Sequence, residues 1–479
     1  MKQPNVLLVV MDTARADYVE NERVMPNLHK LANTSTWFPE TFANAPWTLP
    51  SHSSLFTGQY PSQHGITGAK KSFEEDQTLM SRLGEEGYQT VSFSNNPWIS
   101  PDFGFDDFNK FVPCWQPFTR GADLASISQK EGRKQQLSAL SSELMSLEAP
   151  FTLVNALYMK FVEGTYDSGA ALTNFRFKRW FKNQTSSDPF FAFVNYMEPH
   201  LEYNPPRKYR EQVLSTEELE RWDDVNQDPW AFLTGTAEMS DADFDLLQNL
   251  YRAELRYLDA RLGRLFEFLR DRGELDSTVV IVTGDHGEHL GEHDLMDHQY
   301  SLSDQLLRIP LLIRYPDEFD GGTRDDCLVE LRDLYATILS LAGVDDIHSD
   351  DVESPPLDLT ESNEGRDAVI SEYLSPQPAI DTLCERYDVD RTSIQEYDRA
   401  LRAIRTADRK LIERSDGSRR LYAVNDGIAD ETQSLDESTD ELATKLQSVV
   451  GEFSVADERN DRQELAESNK QRLEDLGYL

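Results

Sequence analysis

Cysteine is scarce in this chain. Cys114, Cys327 and Cys384 are the only three in 479 residues, and they stand far apart. Such spacing excludes a disulfide framework and a cysteine zinc site, and each is read as a buried free thiol. Basic residues are also few. There are 47 against 86 acidic residues, for a formal charge of -39, and only 14 of the 47 are lysine. A surface of that sign repels nucleic acid and anionic membranes, so neither is expected as a partner. Long apolar runs are missing too. None approaches the roughly 20 residues a membrane helix needs. The first run, residues 5–10, is ended by Asp12 before it could serve as a secretion signal. These absences predict a soluble, cytoplasmic protein. The acid is spread along the chain, which suits a salt-rich cytoplasm where screening shortens self-repulsion. Disorder is excluded by an aromatic content of 10% and by many short apolar segments.

Those apolar segments carry the fold. Residues 5–10 (NVLLVV), 90–94, 190–196 (FFAFVNY), 278–283 (TVVIVT) and 310–314 read as strands buried on both faces. Residues 244–272 place Leu247, Leu250, Tyr251, Leu255, Leu258, Leu262, Leu265 and Leu269 at helical spacing, with Gly273 as the C-cap. Strands alternating with helices predict an α/β fold with a mostly parallel sheet flanked by helices. Residues 1–345 are assigned to this catalytic domain. Within it, 100–185 reads as an insertion or cap, equally well as a helix pair on the sheet edge. Residues 346–479 are assigned to a small α+β C-terminal subdomain with a charged tail. There, 401–421 alternates as in a hairpin with Asp416-Gly417 at the turn, and a helix pattern follows over 437–450.

Ligands of such sheets bind outside the carboxyl ends of the strands. Asp12, Glu198 to His200, and Asp285-His286 all follow predicted strands. Asp285-His286, between two glycines that permit a sharp turn, pairs a carboxylate with an imidazole and suits a divalent cation. Capping for Asp12, and a purely structural loop for Asp285-His286, are the competing readings. Nine histidines are present, and four of them, His286, His289, His293 and His298, crowd one segment. His289 reads as a surface residue. Residues 44–60 (NAPWTLPSHSSLFTGQY) place Thr48 at the start of a helix stopped by Gly58. Free backbone N–H groups there favour a sulfate or phosphate. Together these features predict an enzyme that splits anionic esters.

The same segments resemble the sulfatase family within the alkaline phosphatase superfamily. The resemblance runs through NVLLVVMDTARAD, TLPSHSSLFTGQYPSQHG, FVNYMEPHLEYNPP, YRAELRYLDARLGRLFEFL, TVVIVTGDHGEHLGEHDL and RIPLLIRYP, in that order. It also covers the C-terminal RAIRTADRKLIE and RRLYAVND segments. It implies an alkaline-phosphatase-like sandwich. It implies one divalent ion (calcium, magnesium, manganese or zinc) held by Asp12, Asp285 and His286 with the Thr48 oxygen. A second ion at Glu198, His200 or His293 is the weaker expectation. His200 and His298 are implied as proton donors and substrate contacts, and His52, which stands where the family has arginine, as a further substrate contact.

The departures carry as much information. Sulfatases convert a Cys or Ser at the Thr48 position to formylglycine, and threonine cannot form that aldehyde. Thr13 replaces a second metal-site aspartate. Ser94 to Trp98 replaces a Gly-Lys-Trp-His segment, leaving Asn96 as the substrate contact. The expected function is a metal-dependent hydrolase of sulfuric or phosphoric esters. Thr48 acts as nucleophile through a covalent intermediate, and the chemistry favours phosphoesters. Substrates linked to sugars or lipids are expected. The alternatives are a transferase moving a phospho-group onto a glycan or lipid head group, and an inactive anion-binding homologue. Oligomeric state is not legible.

Overall fold

A computed structural model describes residues 3–67, 78–118, 148–162, 166–167, 169–344, 354–361 and 365–453. Eight strands form the central sheet: β1 (Asn5–Met11), β2 (Thr36–Trp37), β3 (Gln89–Ser94), β4 (Lys110–Pro113), β5 (Phe190–Tyr196), β6 (Thr278–Gly284), β7 (Leu311–Arg314) and β8 (Thr323–Arg324). Their spatial order is β8-β2-β7-β6-β1-β5-β3-β4. Only β7 runs against the rest, pairing antiparallel with both β6 and β2. The five strands expected from the sequence are all present, and the sheet is mostly parallel.

The apolar runs form central strands because each feeds two cores at once. Val6, Leu8 and Val10 face one layer, while Leu7, Val9 and Met11 face the other. Two-residue alternation sends every second side chain to the opposite face, so a strand covered on both sides must be apolar throughout. Helix α1 (Thr48–Thr57) and helix α4 (Asp333–Ala342) cover one face. Helix α2 (Ala170–Lys182) and the long helix α3 (Asp241–Arg270) cover the other. Ser240 and Asp243 form a capping box that starts α3 three residues before the expected Phe244. Gly273, at φ +70°, ends it, with Glu274 N–H donating to the Leu269 carbonyl.

Two elements inside the 100–185 segment belong to this core. Strand β4 is the sheet's last strand, and α2 packs Phe177 beneath Phe93. The helical pattern expected over 122–148 lies outside the described residues except for Glu148, as does the charged tail over 457–479.

The C-terminal sheet is antiparallel: β9 (Val369–Tyr373), β10 (Leu401–Arg405), β11 (Arg409–Arg414), β12 (Arg419–Asn425) and β13 (Ile428–Ala429), in that order. The expected hairpin over 401–421 is three strands rather than two. Thr406 to Asp408 make the first turn, and Gly417, at φ +82°, makes the second. Helix α5 (Asp440–Val450) packs Ala443, Leu446 and Val450 on its outer face.

Glu372 of β9 ties this sheet to the catalytic domain. Its backbone N–H donates to the Asn44 carbonyl at 2.9 Å, and its carboxylate accepts from the Ser62 N–H at 2.8 Å. Burial pushes its carboxyl from 4.5 up to about 7. A raised folded-state pKa favours folding below pH 4.5, and that contribution is lost as pH rises through 7. Glu372→Gln should therefore gain on the wild type by roughly 2–3 kcal/mol between pH 5 and pH 8. Chemical denaturation at the two pH values measures the gap, and a gap independent of pH would overturn the assignment.

Candidate active site

The parallel strands end in register. Met11 of β1 lies opposite Tyr196 of β5 and Gly284 of β6. The residues that follow therefore gather at one edge of the sheet. Asp12 donates its N–H to the Tyr196 carbonyl at 2.9 Å, and Thr13 donates its N–H to Asp285 Oδ1 at 3.1 Å. Thr13 takes a left-handed conformation, at φ +56°. The Tyr251 hydroxyl of α3 holds that turn, accepting from Arg15 N–H at 2.9 Å and donating to the Thr13 carbonyl at 2.8 Å. Tyr251→Phe strands both buried groups. It should cost about 1–3 kcal/mol of stability and weaken divalent-ion affinity roughly tenfold. Denaturation and calorimetric titration check the two effects, and unchanged values for both would exclude this role.

The glycines around Asp285-His286 serve close approach more than turning. A Cβ on Gly287 would fall 1.9 Å from the Gln305 carbonyl oxygen, and one on Gly284 would fall 2.9 Å from the Ala14 carbonyl oxygen. The chain can lie this close to its neighbours only without side chains.

Thr48 enters from the other layer, at the first position of α1. The whole helix is buried and no side chain caps its N-terminus. Thr48 Oγ1 is 3.4 Å from His286 Nε2, and the Asn96 amide reaches it at 3.5 Å. The same amide donates to Asp12 Oδ2 at 2.6 Å. Asn96 follows β3, so four strand ends and one helix start meet here. Asp12, Asp285 and His286 present ligand atoms within 4.8 Å of one another, all three buried. Asp12 Oδ1 and Asp285 Oδ2 are buried without a hydrogen-bond partner among the described residues. Two such oxygens beside an imidazole nitrogen and a hydroxyl form a donor set that fits a divalent cation. Burial and the neighbouring Asp12 carboxylate raise the Asp285 pKa well above its ordinary value. Burial, with His298 adding to it, lowers that of His286.

His298 completes the wall. Its ring lies 4.4 Å from that of His286 and 5.3 Å from that of His200, measured between centroids. Its Nδ1 contacts both Asp297 and, at 3.4 Å, Glu288. Burial opposes charge on this imidazole, but the two carboxylates outweigh burial and raise its pKa well above the ordinary value. Glu288, Asp297 and His298 form a second buried group with metal-ligand geometry. Sequence reasoning missed Glu288 and Asp297, although one signal was available. The Asp-His dipeptide occurs twice, and in both copies the aspartate Oδ1 accepts its own histidine's N–H, at 3.0 Å for His286 and 2.7 Å for His298.

The expected second-ion residues do not converge. Glu198 accepts from the Ala170 N–H at the start of α2, and His293 faces Glu431 at 3.9 Å. His200 is half-buried and contacts the Leu201 carbonyl through Nδ1. His52 sits behind the site. It is fully buried, and its Nδ1 hydrogen-bonds the Thr48 carbonyl at 2.9 Å. Burial lowers its pKa to about 4, so it is neutral and supplies no arginine-like charge. His289, read as a surface residue, is buried and hydrogen-bonded to Ser303 Oγ at 2.6 Å. Arg15 is held by Asp17 and Glu292 at 2.9 and 2.7 Å.

This architecture has many relatives. A phosphonate monoester hydrolase of Agrobacterium radiobacter superposes with a TM-score of 0.64 at 19% identity, covering 93% of this chain and 94% of its own. A structure solved with its substrate D-glucosamine-2-N,6-O-disulfate superposes at 0.63 and 17% identity, covering 94% and 96%. By sequence, an N-acetylglucosamine-6-O-sulfatase of Bacteroides thetaiotaomicron is 24% identical, over 76% of this chain and 72% of the relative. Human iduronate 2-sulfatase is 25% identical over 71% and 69%. The sulfatase family model matches residues 4–344. The chain belongs to the sulfatase family and is a hydrolase acting on ester bonds within the alkaline phosphatase superfamily.

Proposed function

We infer that the chain hydrolyses anionic esters by nucleophilic attack of Thr48 in a site that needs one divalent ion. The observation that carries this reading is the meeting of Thr48 Oγ1 with the Asp12, Asp285 and His286 group, two of whose buried oxygens have no hydrogen-bond partner among the described residues. Asp12, Asp285, His286 and Thr48 would hold the ion. When bound it would lower the pKa of the Thr48 hydroxyl and neutralise a substrate oxygen.

The other residues position and protonate. Asn96 donates to Asp12 and so fixes the carboxylate beside Thr48. The uncapped start of α1 favours the substrate's negative charge. His298, held by Glu288 and Asp297, would with His200 protonate the leaving oxygen. Proton donation of this kind is worth about 10²–10⁴-fold. The covalent Thr48 ester is then cleared by water. A threonine phosphate can be hydrolysed at phosphorus, whereas a threonine sulfate lacks the aldehyde-hydrate route that normally expels sulfate. Phosphoesters and phosphodiesters are therefore the favoured substrates. Sulfated-sugar relatives support an ester carried on a sugar. No helix among the described residues is long and apolar enough to cross a membrane. The acidic balance supports a salt-rich cytoplasmic setting.

The test is a panel of aryl phosphodiesters, phosphomonoesters and sulfates in high salt, with calcium, magnesium, manganese or zinc added after chelation. Ion-dependent turnover with phosphodiesters ahead of sulfates is expected. Turnover that survives chelation, or that is confined to sulfates, would reject the corresponding part of the reading.

A further inference from the structure

Where the C-terminal sheet meets the 293–302 loop there is a cavity of about 320 Å³. The register of the sheet explains its lining. Ile404, Leu411 and Leu421 face outward beneath α5. Alternation then turns Arg405, Lys410, Ile412, Arg414, Arg420 and Tyr422 to the inner face. Deep on that face the cations are paired. Lys410 Nζ is 2.7 Å from both Asp304 and Glu431, and Arg405 is 3.3 Å from Glu40.

At the cavity the pairing is incomplete, and Glu431, which also lines it, is taken by Lys410 and His293. Arg399, Arg414 and Arg420 all line it. Arg399 meets Asp416 at 3.3 Å. Arg414 and Arg420 make no ion pair or side-chain hydrogen bond among the described residues. They are diagonal neighbours across β11 and β12, and like charges so placed repel. Burial, then Arg420 and Arg399, lower the Arg414 pKa, outweighing Tyr422 and Asp416, which raise it. In a chain of charge -39 such a cluster is unusual. The facing wall offers Asp294, Glu396, Tyr300 and Tyr397. Carboxylates accept from hydroxyl groups, and aromatic faces pack against sugar rings. The same loop carries His298 into the candidate active site.

We propose that this cavity is an accessory oxyanion site, in which Arg414 and Arg420 hold a sulfate, phosphate or carboxylate group borne by a polyhydroxylated ligand. It deepens the catalytic reading, on which its link to substrate rests, by assigning the enzyme a substrate with a second anionic group. A free inorganic oxyanion shares the chemistry and is the other source.

The experiment is calorimetric titration of inorganic sulfate and of a disulfated disaccharide into the full-length chain. The proteins are wild type, Thr48→Ala, Arg414→Gln/Arg420→Gln and Arg414→Lys/Arg420→Lys. Losing charge-assisted bonds from two guanidinium groups should weaken binding by at least roughly tenfold. The lysine pair should recover part of that loss, which a folding defect would not allow. A disaccharide binding more tightly than sulfate identifies a sugar-borne group, and equal affinity identifies the free ion. Unchanged affinity for both probes in the glutamine pair overturns the site, whatever Thr48→Ala does to turnover. Full turnover in Thr48→Ala alongside weakened binding in the glutamine pair would instead remove the catalytic reading and leave the site standing.

Discussion

Thr48→Ala should reduce kcat by roughly 10³–10⁶-fold, the range expected when the nucleophile of a covalent mechanism is removed. The variant should fold. Alanine suits the first turn of a helix, and among the described residues the hydroxyl makes only the long contacts to His286 and Asn96, at 3.4 and 3.5 Å. Thr48→Ser keeps the oxygen and should recover activity to within about tenfold of wild type. A phosphoryl group caught on the peptide containing Thr48 during turnover would identify the intermediate directly. Wild-type kcat in Thr48→Ala would remove the threonine from the chemistry, leaving water as the attacking group.

The sulfatase relatives place this threonine in an informative context. Their label alone predicts a formylglycine nucleophile gripped by lysine and arginine. Among the described residues, the hydroxyl is reached by Asn96 and His286, and Arg15 is tied to Asp17 and Glu292. A carboxylate-held imidazolium can replace a fixed cation only where water is excluded, and His298, Glu288 and Asp297 are all buried.

Much of this site is legible in the sequence because of where strands end. Asp12 and Asp285-His286 follow unbroken Val/Leu/Ile runs, and parallel pairing leaves them no place but one edge. Thr48 is legible through the helix start and its Gly58 stop, at φ +70°. Glu288 and Asp297 escape because their approach to His298 depends on a loop of left-handed residues. His293, Asp294, Asp297 and Tyr300 all have positive φ, which no periodicity announces. His52 escapes for another reason. Helical spacing turns it under Thr48 and between Phe56 and Phe193, where burial removes its charge.

Removing a metal-site carboxylate should have opposite effects on stability with and without the ion. Asp12 and Asp285 are both fully buried, each with an oxygen that lacks a hydrogen-bond partner among the described residues, and burial, then repulsion from Asp12, raises the Asp285 pKa. In chelator, Asp285→Asn relieves that repulsion. It keeps an oxygen for the Thr13 and His286 N–H groups that Asp285 Oδ1 now accepts at 3.1 and 3.0 Å. The variant should then match or exceed wild type by about 1–3 kcal/mol. With a divalent ion at a hundredfold excess over its Kd, wild type should gain about 2.7 kcal/mol by linkage. The variant has lost a charged ligand and should gain far less. The order of melting temperatures inverts between the two conditions. Differential scanning calorimetry of both proteins, with chelator and with each candidate ion, reads this without any substrate. A wild-type transition that is indifferent to every ion tested would show that Asp12, Asp285 and His286 do not hold one.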